Sequence, residues 1–145
     1  MTPARISTAL RLRVAGATRF RCGCCLTSQH VIGPLLEIDH IIPESRGGTH
    51  DEDNLILACP MCNGHKADRV EAPDPDTQTS VPLFNPRRQQ WREHFEWIEG
   101  GTVVRGKTAT GRATVATLAM NHPDTVLARS LWVGAGWHPP AVHPE

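Results

Sequence analysis

Short apolar runs alternate with turn-forming residues along the chain, and none of them is long. Ser7 precedes good helix formers from Thr8 to Ala15, and Gly16 closes them, so the spacing predicts a short capped helix. Strands are expected over residues 35–38 and 55–58, with a turn-rich loop over residues 43–54 between them and a helix from Met61 to about Val70 after them. That order is a β-loop-β-α unit. Residues 71–80 are proline-rich, acidic and polar, the composition of a linker or an extended surface segment. Further on, Trp91 and Phe95 lie four apart in a helix expected over residues 88–97, and Gly100-Gly101 between apolar pairs predicts a hairpin turn. Two more helices are expected, over residues 111–120 and 123–133, the second opening with Pro123 and Asp124.

At 145 residues the chain builds only a modest core, and three Phe, four Trp and no Tyr leave few large side chains to anchor it. Five Cys are candidates for the missing support. The net charge is zero, so no global field draws the chain to a polyanion; the distribution is more informative. Arg5, Arg11, Arg13, Arg19 and Arg21 crowd the first segment with no acid among them, and Lys appears only at Lys66 and Lys107. Arginine is the side chain whose planar fork fits phosphate bidentately. No long apolar stretch predicts a signal peptide or membrane span, so a cytoplasmic setting with reduced cysteines is expected, and metal ligation is favoured over a disulfide framework.

Cys22 with Cys25, and Cys59 with Cys62, form two C-x-x-C pairs. Four thiolates on two tight turns suit the closed tetrahedral coordination of a structural zinc ion. Cys24, inside the first pair, is expected to be a non-ligand; buried thiols or a redox pair are the competing account of the set. Between the pairs, Asp39 and His40 stand together at the end of the first apolar strand, where neighbouring side chains point to opposite faces. The loop Arg46-Gly-Gly-Thr-His50, then Asn54, and finally Asn63, His65 and Lys66 after the second pair bring residue types used in phosphodiester hydrolysis to one small unit.

Residues 20–70 resemble the HNH endonuclease family, also called the ββα-metal nucleases. The residues that carry the resemblance are Cys22/Cys25, Asp39 to Pro43, Gly47-Gly48, Asn54-Leu55 and Cys59/Cys62. One position departs from the commonest form, since Asn63 stands where His is usual. The resemblance implies a metal-dependent DNA endonuclease in which His40 is the general base and Asn54 ties the loop that aims it. Asp39 and Asn63 would hold one Mg²⁺ or Mn²⁺ ion, with His65 the rival ligand, and Lys66, Arg69 and Arg46 would contact DNA phosphates.

Segments Phe84-Asn-Pro-Arg87, Trp91, His94-Phe95 and Thr110-Gly-Arg-Ala113 resemble an extension found after this motif in small bacterial HNH proteins. Its arginines would either extend a phosphate-contacting surface or face solvent from a packed lid. The expected fold class is α+β: a ββα-metal finger stapled by a four-Cys zinc, then a small helix/hairpin/helix extension. The expected divisions are 1–19, a basic helix; 20–71, the nuclease domain; 72–82, a Pro-rich linker; 83–137, an accessory region; and 138–145, a flexible tail. His138 and His143 in that tail are not expected as ligands, and His50 is expected on the surface. A non-catalytic zinc module that binds nucleic acid is the alternative function, but it has no use for Asp39, His40 and Asn63 together.

Overall fold

A computed structural model describes residues 6–141, so the expectations for Arg5, His143 and the chain ends fall outside the described residues. Helix α1 (Thr8–Ala17) begins where Ser7 accepts a hydrogen bond from the Leu10 amide at 3.1 Å, and its Val14 and Ala15 are buried. It packs on strand β2 (Leu55–Ala58), which pairs antiparallel with β1 (Glu37–His40). Every residue of β2 is buried, because one face meets α1 and the other the rest of the core. A short α2 (Gln29–Ile32), opened by the Ser28 cap, leads from the first cysteine pair toward β1.

β1 starts two residues later than the apolar pattern predicts. Pro34 contributes no amide, Leu35 is left exposed, and the polar pair Asp39 and His40 continues the strand opposite Ile56 and Leu55. Helix α3 (Pro60–Lys66) is also shorter than expected. It opens with Pro60 in its first turn, where the Cys59 sulfur accepts from the Cys62 amide at 3.4 Å, and it ends at Ala67 in a positive-φ conformation.

The segment expected to be a linker forms a hairpin of β3 (Glu71–Pro73) and β4 (Ser80–Pro82). Asp74 at its turn is fully buried and receives both Nε and Nη2 of Arg112, at 3.0 and 2.9 Å, and the Thr77 hydroxyl at 3.0 Å. The Arg112 guanidinium holds the Asp74 carboxyl well below the usual carboxylate range. The helix expected over residues 88–97 is a single turn, α4 (Trp91–His94), after which the chain becomes β5 (Phe95–Ile98) paired with β6 (Val103–Gly106). Phe95 and Trp97 with Glu96 between them suit a strand as well as Trp91 and Phe95 suit a helix, and pairing with β6 decides between the two. The Gly100-Gly101 turn joins these strands as expected, with both glycines at positive φ.

Helices α5 (Ala109–Thr117) and α6 (Pro123–Gly134) complete the chain. α5 crosses β6 so closely that a Cβ on Gly111 would lie 2.1 Å from the His94 carbonyl oxygen, which restricts that position to glycine. One core runs through both halves, from Cys22, Leu26, Ala58 and Cys62 to Phe84, Trp91, Phe95, Val104 and Leu118. The chain is not loose at residue 138: the His138 ring is buried edge-on against Trp97, with centroids 4.4 Å apart, and burial lowers its pKa to about 4. Among the described residues no helix is long and apolar enough to cross a membrane.

The Asp74–Arg112 pair joins residues 38 positions apart and fastens the hairpin to α5. Asp74→Ala and Arg112→Ala should each lower the thermal midpoint by several degrees, Arg112→Ala the more, because it strands the buried Asp74 carboxylate whereas Arg112 keeps Asp76 at 3.1 Å when Asp74 is lost. The double variant should lose clearly less than the sum of the two, a coupling read from a double-mutant cycle of thermal unfolding.

Candidate active site

Two clusters organise the ββα unit. In the first, one sulfur from each of Cys22, Cys25, Cys59 and Cys62 lies within 4.8 Å of the others, and all four residues are buried. The Cys25 and Cys59 sulfurs are 3.6 Å apart, and Cys25 also meets the Thr27 hydroxyl at 3.1 Å. Hydrogen bonds from the neighbouring thiols and Thr27 pull the Cys25 pKa well down, while the same mutual contacts push Cys22 and Cys62 well up. Cys24 is buried too, but its sulfur stays out of the cluster, and burial pushes its thiol up. The first knuckle is tied to the sheet by the Gly23 amide, which donates to Leu57 O at 2.8 Å.

The second cluster lies at the end of β1. Asn54 accepts from the Ile42 amide at 2.8 Å and donates to Ile42 O and Thr49 O at 3.0 and 2.8 Å, closing the loop between β1 and β2. A 3₁₀ turn over Glu44–Arg46 shapes the loop, and Gly48 passes so near Ile42 O that a Cβ would sit 1.6 Å from it. The closed loop brings His50 back onto His40, with 2.8 Å between His50 Nδ1 and His40 Nε2. Glu44 approaches His50 Nε2 at 3.0 Å and His40 Nε2 at 3.6 Å. Both His50 and Glu44 were missed in the sequence, because nothing local in a Gly-Thr-His-Asp loop shows that it folds back on the strand.

On the other face of β1, Lys66 Nζ lies 3.2 Å from Asp39 Oδ2 and donates to His40 O at 2.9 Å. Asn63, one turn earlier on α3, donates its amide to Glu37 Oε1 at 3.0 Å. α3 therefore lies along β1 with Asn63 over Glu37 and Lys66 over Asp39, a pairing that also brings in Glu37, which sequence reasoning passed over. Burial raises the Asp39 pKa, and the Lys66 ammonium opposes that rise. Lys66, expected to face phosphates, is thus committed inward, with only 12% of its side chain exposed. Arg69 and Arg46 remain on the exposed side, Arg46 donating to Asp68 O at 2.6 Å. His65 is exposed and lines a cleft with Cys25, Cys59, Met61 and Trp132. Arg87, considered for a phosphate surface, donates instead to Leu55 O at 2.9 Å.

Four clustered thiols, an Asp-His pair ending the first strand and an amide side chain on the helix make up a small ββα unit. Residues 22–69 match the family model for HNH endonuclease, so this segment is similar to the HNH endonuclease domain. The match spans about a third of the chain. The matched domain suggests nuclease activity in general, with nucleic acid as the class of substrate. No curated protein and no solved structure matches the chain significantly.

Asn54 makes three hydrogen bonds to the backbone on both sides of the loop, so Asn54→Ala should destabilise the protein by roughly 2–4 kcal/mol in chemical denaturation. Asn54→Asp should be at least as damaging, because it turns two donors into an acceptor facing the Ile42 and Thr49 carbonyls.

Proposed function

We propose that the protein is a DNA endonuclease that hydrolyses phosphodiester bonds, with His40 as the general base. The observation that carries this reading is the chain Glu44, His50, His40. A carboxylate 3.0 Å from His50 Nε2 makes that nitrogen the protonated one, so His50 Nδ1 accepts from His40 Nε2–H across 2.8 Å. His40 Nδ1 then carries the lone pair. It takes a proton from the attacking water as the new P–O bond forms and the bond to the 3′ oxygen breaks, leaving a 5′ phosphate and a 3′ hydroxyl that is protonated from solvent. The positive charge gained by the imidazole is shared toward Glu44 through His50.

Asp39 and Asn63 would hold the activating ion. The donor set fits a hard cation: a carboxylate, and an amide whose nitrogen is spent on Glu37 and whose oxygen is the ligand atom. A bound Mg²⁺ or Mn²⁺ supplies charge neutralisation at the departing oxygen. Lys66 positions the Asp39 carboxylate and the end of β1, while Arg46 and Arg69 offer guanidinium groups to phosphates on the exposed side. The position of His65, beside the thiols and α6, supports Asn63 over His65 as the ligand from α3.

The four-thiol cluster fits a structural zinc ion. Tetrahedral Zn–S bonds of about 2.3 Å place sulfurs about 3.8 Å apart, close to the spacing of Cys25 and Cys59.

His40→Ala should lower metal-saturated plasmid nicking by about 10²- to 10⁴-fold while keeping thermal stability and DNA affinity. Asp39→Ala and Asn63→Ala should lose activity together with the response to added Mg²⁺, and His65→Ala should keep both. Nicking by His40→Ala at the wild-type rate would leave the protein a zinc-supported binding module. In elemental analysis Cys59→Ser should lose its zinc and unfold, whereas Cys24→Ser should retain metal and fold. Well-folded protein without zinc would refute the assignment of the cluster.

A further inference from the structure

The loop that positions His40 also builds a second metal site. We infer that His40, Glu44 and His50 bind a borderline transition ion, of which Zn²⁺ is the biological example, and that its binding shuts off the nuclease by capturing the base. The binding half stands on geometry alone; the inhibitory half rests on the function proposed above.

Each of the three side chains offers one ligand atom, and these atoms lie within 4.8 Å of one another. His40 Nε2 is 3.6 Å from the Glu44 carboxylate, and His50 faces His40 with Nδ1 at 2.8 Å and Glu44 with Nε2 at 3.0 Å. Three ligands about 2.0–2.1 Å from one ion in a tetrahedral site stand about 3.3 Å from each other, so only small ring rotations separate the hydrogen-bonded arrangement from a ligating one. The rings are already in contact, with centroids 4.9 Å apart. Two imidazoles and a carboxylate, with a fourth position open to water, form a donor set suited to Zn²⁺, whereas Mg²⁺ prefers oxygen ligands in an octahedron.

The backbone holds the three in place. Asn54 locks Ile42 and Thr49, and amides of Arg46, Gly47 and Gly48 donate to Pro43 O and Glu44 O at 2.9–3.0 Å. Little ordering is left for a metal to impose. The three residues are partly open to water, with side chains 19%, 56% and 29% exposed for His40, Glu44 and His50, so an ion can enter without unfolding.

Adjacent strand residues face opposite sides, so this site is separate from the one offered by Asp39. A hard ion on Asp39 and Asn63 and a borderline ion on His40, Glu44 and His50 can therefore act in opposite senses. An imidazole held by Zn²⁺ loses most of its basicity and cannot take a proton from water.

The test uses the full-length protein carrying its thiol-bound zinc, dialysed against buffered free Zn²⁺, with bound metal counted by elemental analysis. Wild type should take up one further equivalent, and His50→Gln and Glu44→Gln should each bind it at least about 10-fold more weakly. Uptake equal in all three proteins, or no uptake beyond the thiol-bound ion, overturns the site. In parallel, Zn²⁺ is titrated into Mg²⁺-supported nicking, each protein referred to its own zinc-free rate. Wild type should be inhibited over the range that fills the second site, and the variant that retains the more activity should need at least about 10-fold more Zn²⁺. Equal sensitivity overturns the inhibitory role. Absence of nicking under every metal condition would instead count against the nuclease reading, while the dialysis still decides whether the site exists.

Discussion

Everything in the ββα unit depends on drawing Cys22 and Cys25 together with Cys59 and Cys62. These residues sit on turns more than thirty positions apart, and β1, the loop closed by Asn54 and β2 are strung between them. Fixing both ends shortens the freedom of everything in between. With the Gly23 amide joined to Leu57 O and the Cys59 sulfur capping α3, the cluster sets where β2 ends and in which direction α3 leaves it. The rungs from Asn63 to Glu37 and from Lys66 to Asp39 follow from that direction. A chain with so few aromatics has little other means of holding a helix against a two-stranded sheet.

The loop then performs a second convergence on a smaller scale. Asn54 is one side chain satisfying backbone groups on both arms, which makes residues 42–49 a rigid bracket, although most of them are exposed. His40 is held from two directions: from the strand by its pairing with Leu55, and from the loop by His50. An imidazole held from two sides needs no bound ligand to fix its orientation.

Features with a local physical signature were legible in the sequence. The Ser7 cap, the β2 run, the Gly100-Gly101 turn and the Pro123 start of α6 all lie where residues 7, 55–58, 100–101 and 123 suggest them. The four-cysteine set was legible because its spacing alone constrains geometry. What was not legible depended on distant partners. Residues 71–82 have linker composition, and packing on α5, with Arg112 on Asp74 and Thr110 on Pro82 O, turns them into a packed hairpin. Phe95–Ile98 has a pattern compatible with helix or strand, and β6 selects the strand. His50 has no local mark of its role, and the inward turn of Lys66 follows from Asp39 lying beneath it.

Trp91 gives the C-terminal half a share in the cysteine cluster. Its indole Nε1 donates to Cys24 O at 2.8 Å, between the two clustered thiols Cys22 and Cys25, while its ring stacks on Trp97 at 5.3 Å and leans on Phe95. The segment that carries the family motif is therefore smaller than the segment that folds. Cutting the chain after residue 69 would remove Trp91, Phe84 and Leu118 together, baring the inner side of the cluster and leaving the Cys24 carbonyl without its donor. The motif cannot be transplanted alone: a graft into another scaffold has to bring an indole, or an equivalent donor on an apolar plate, to the same carbonyl.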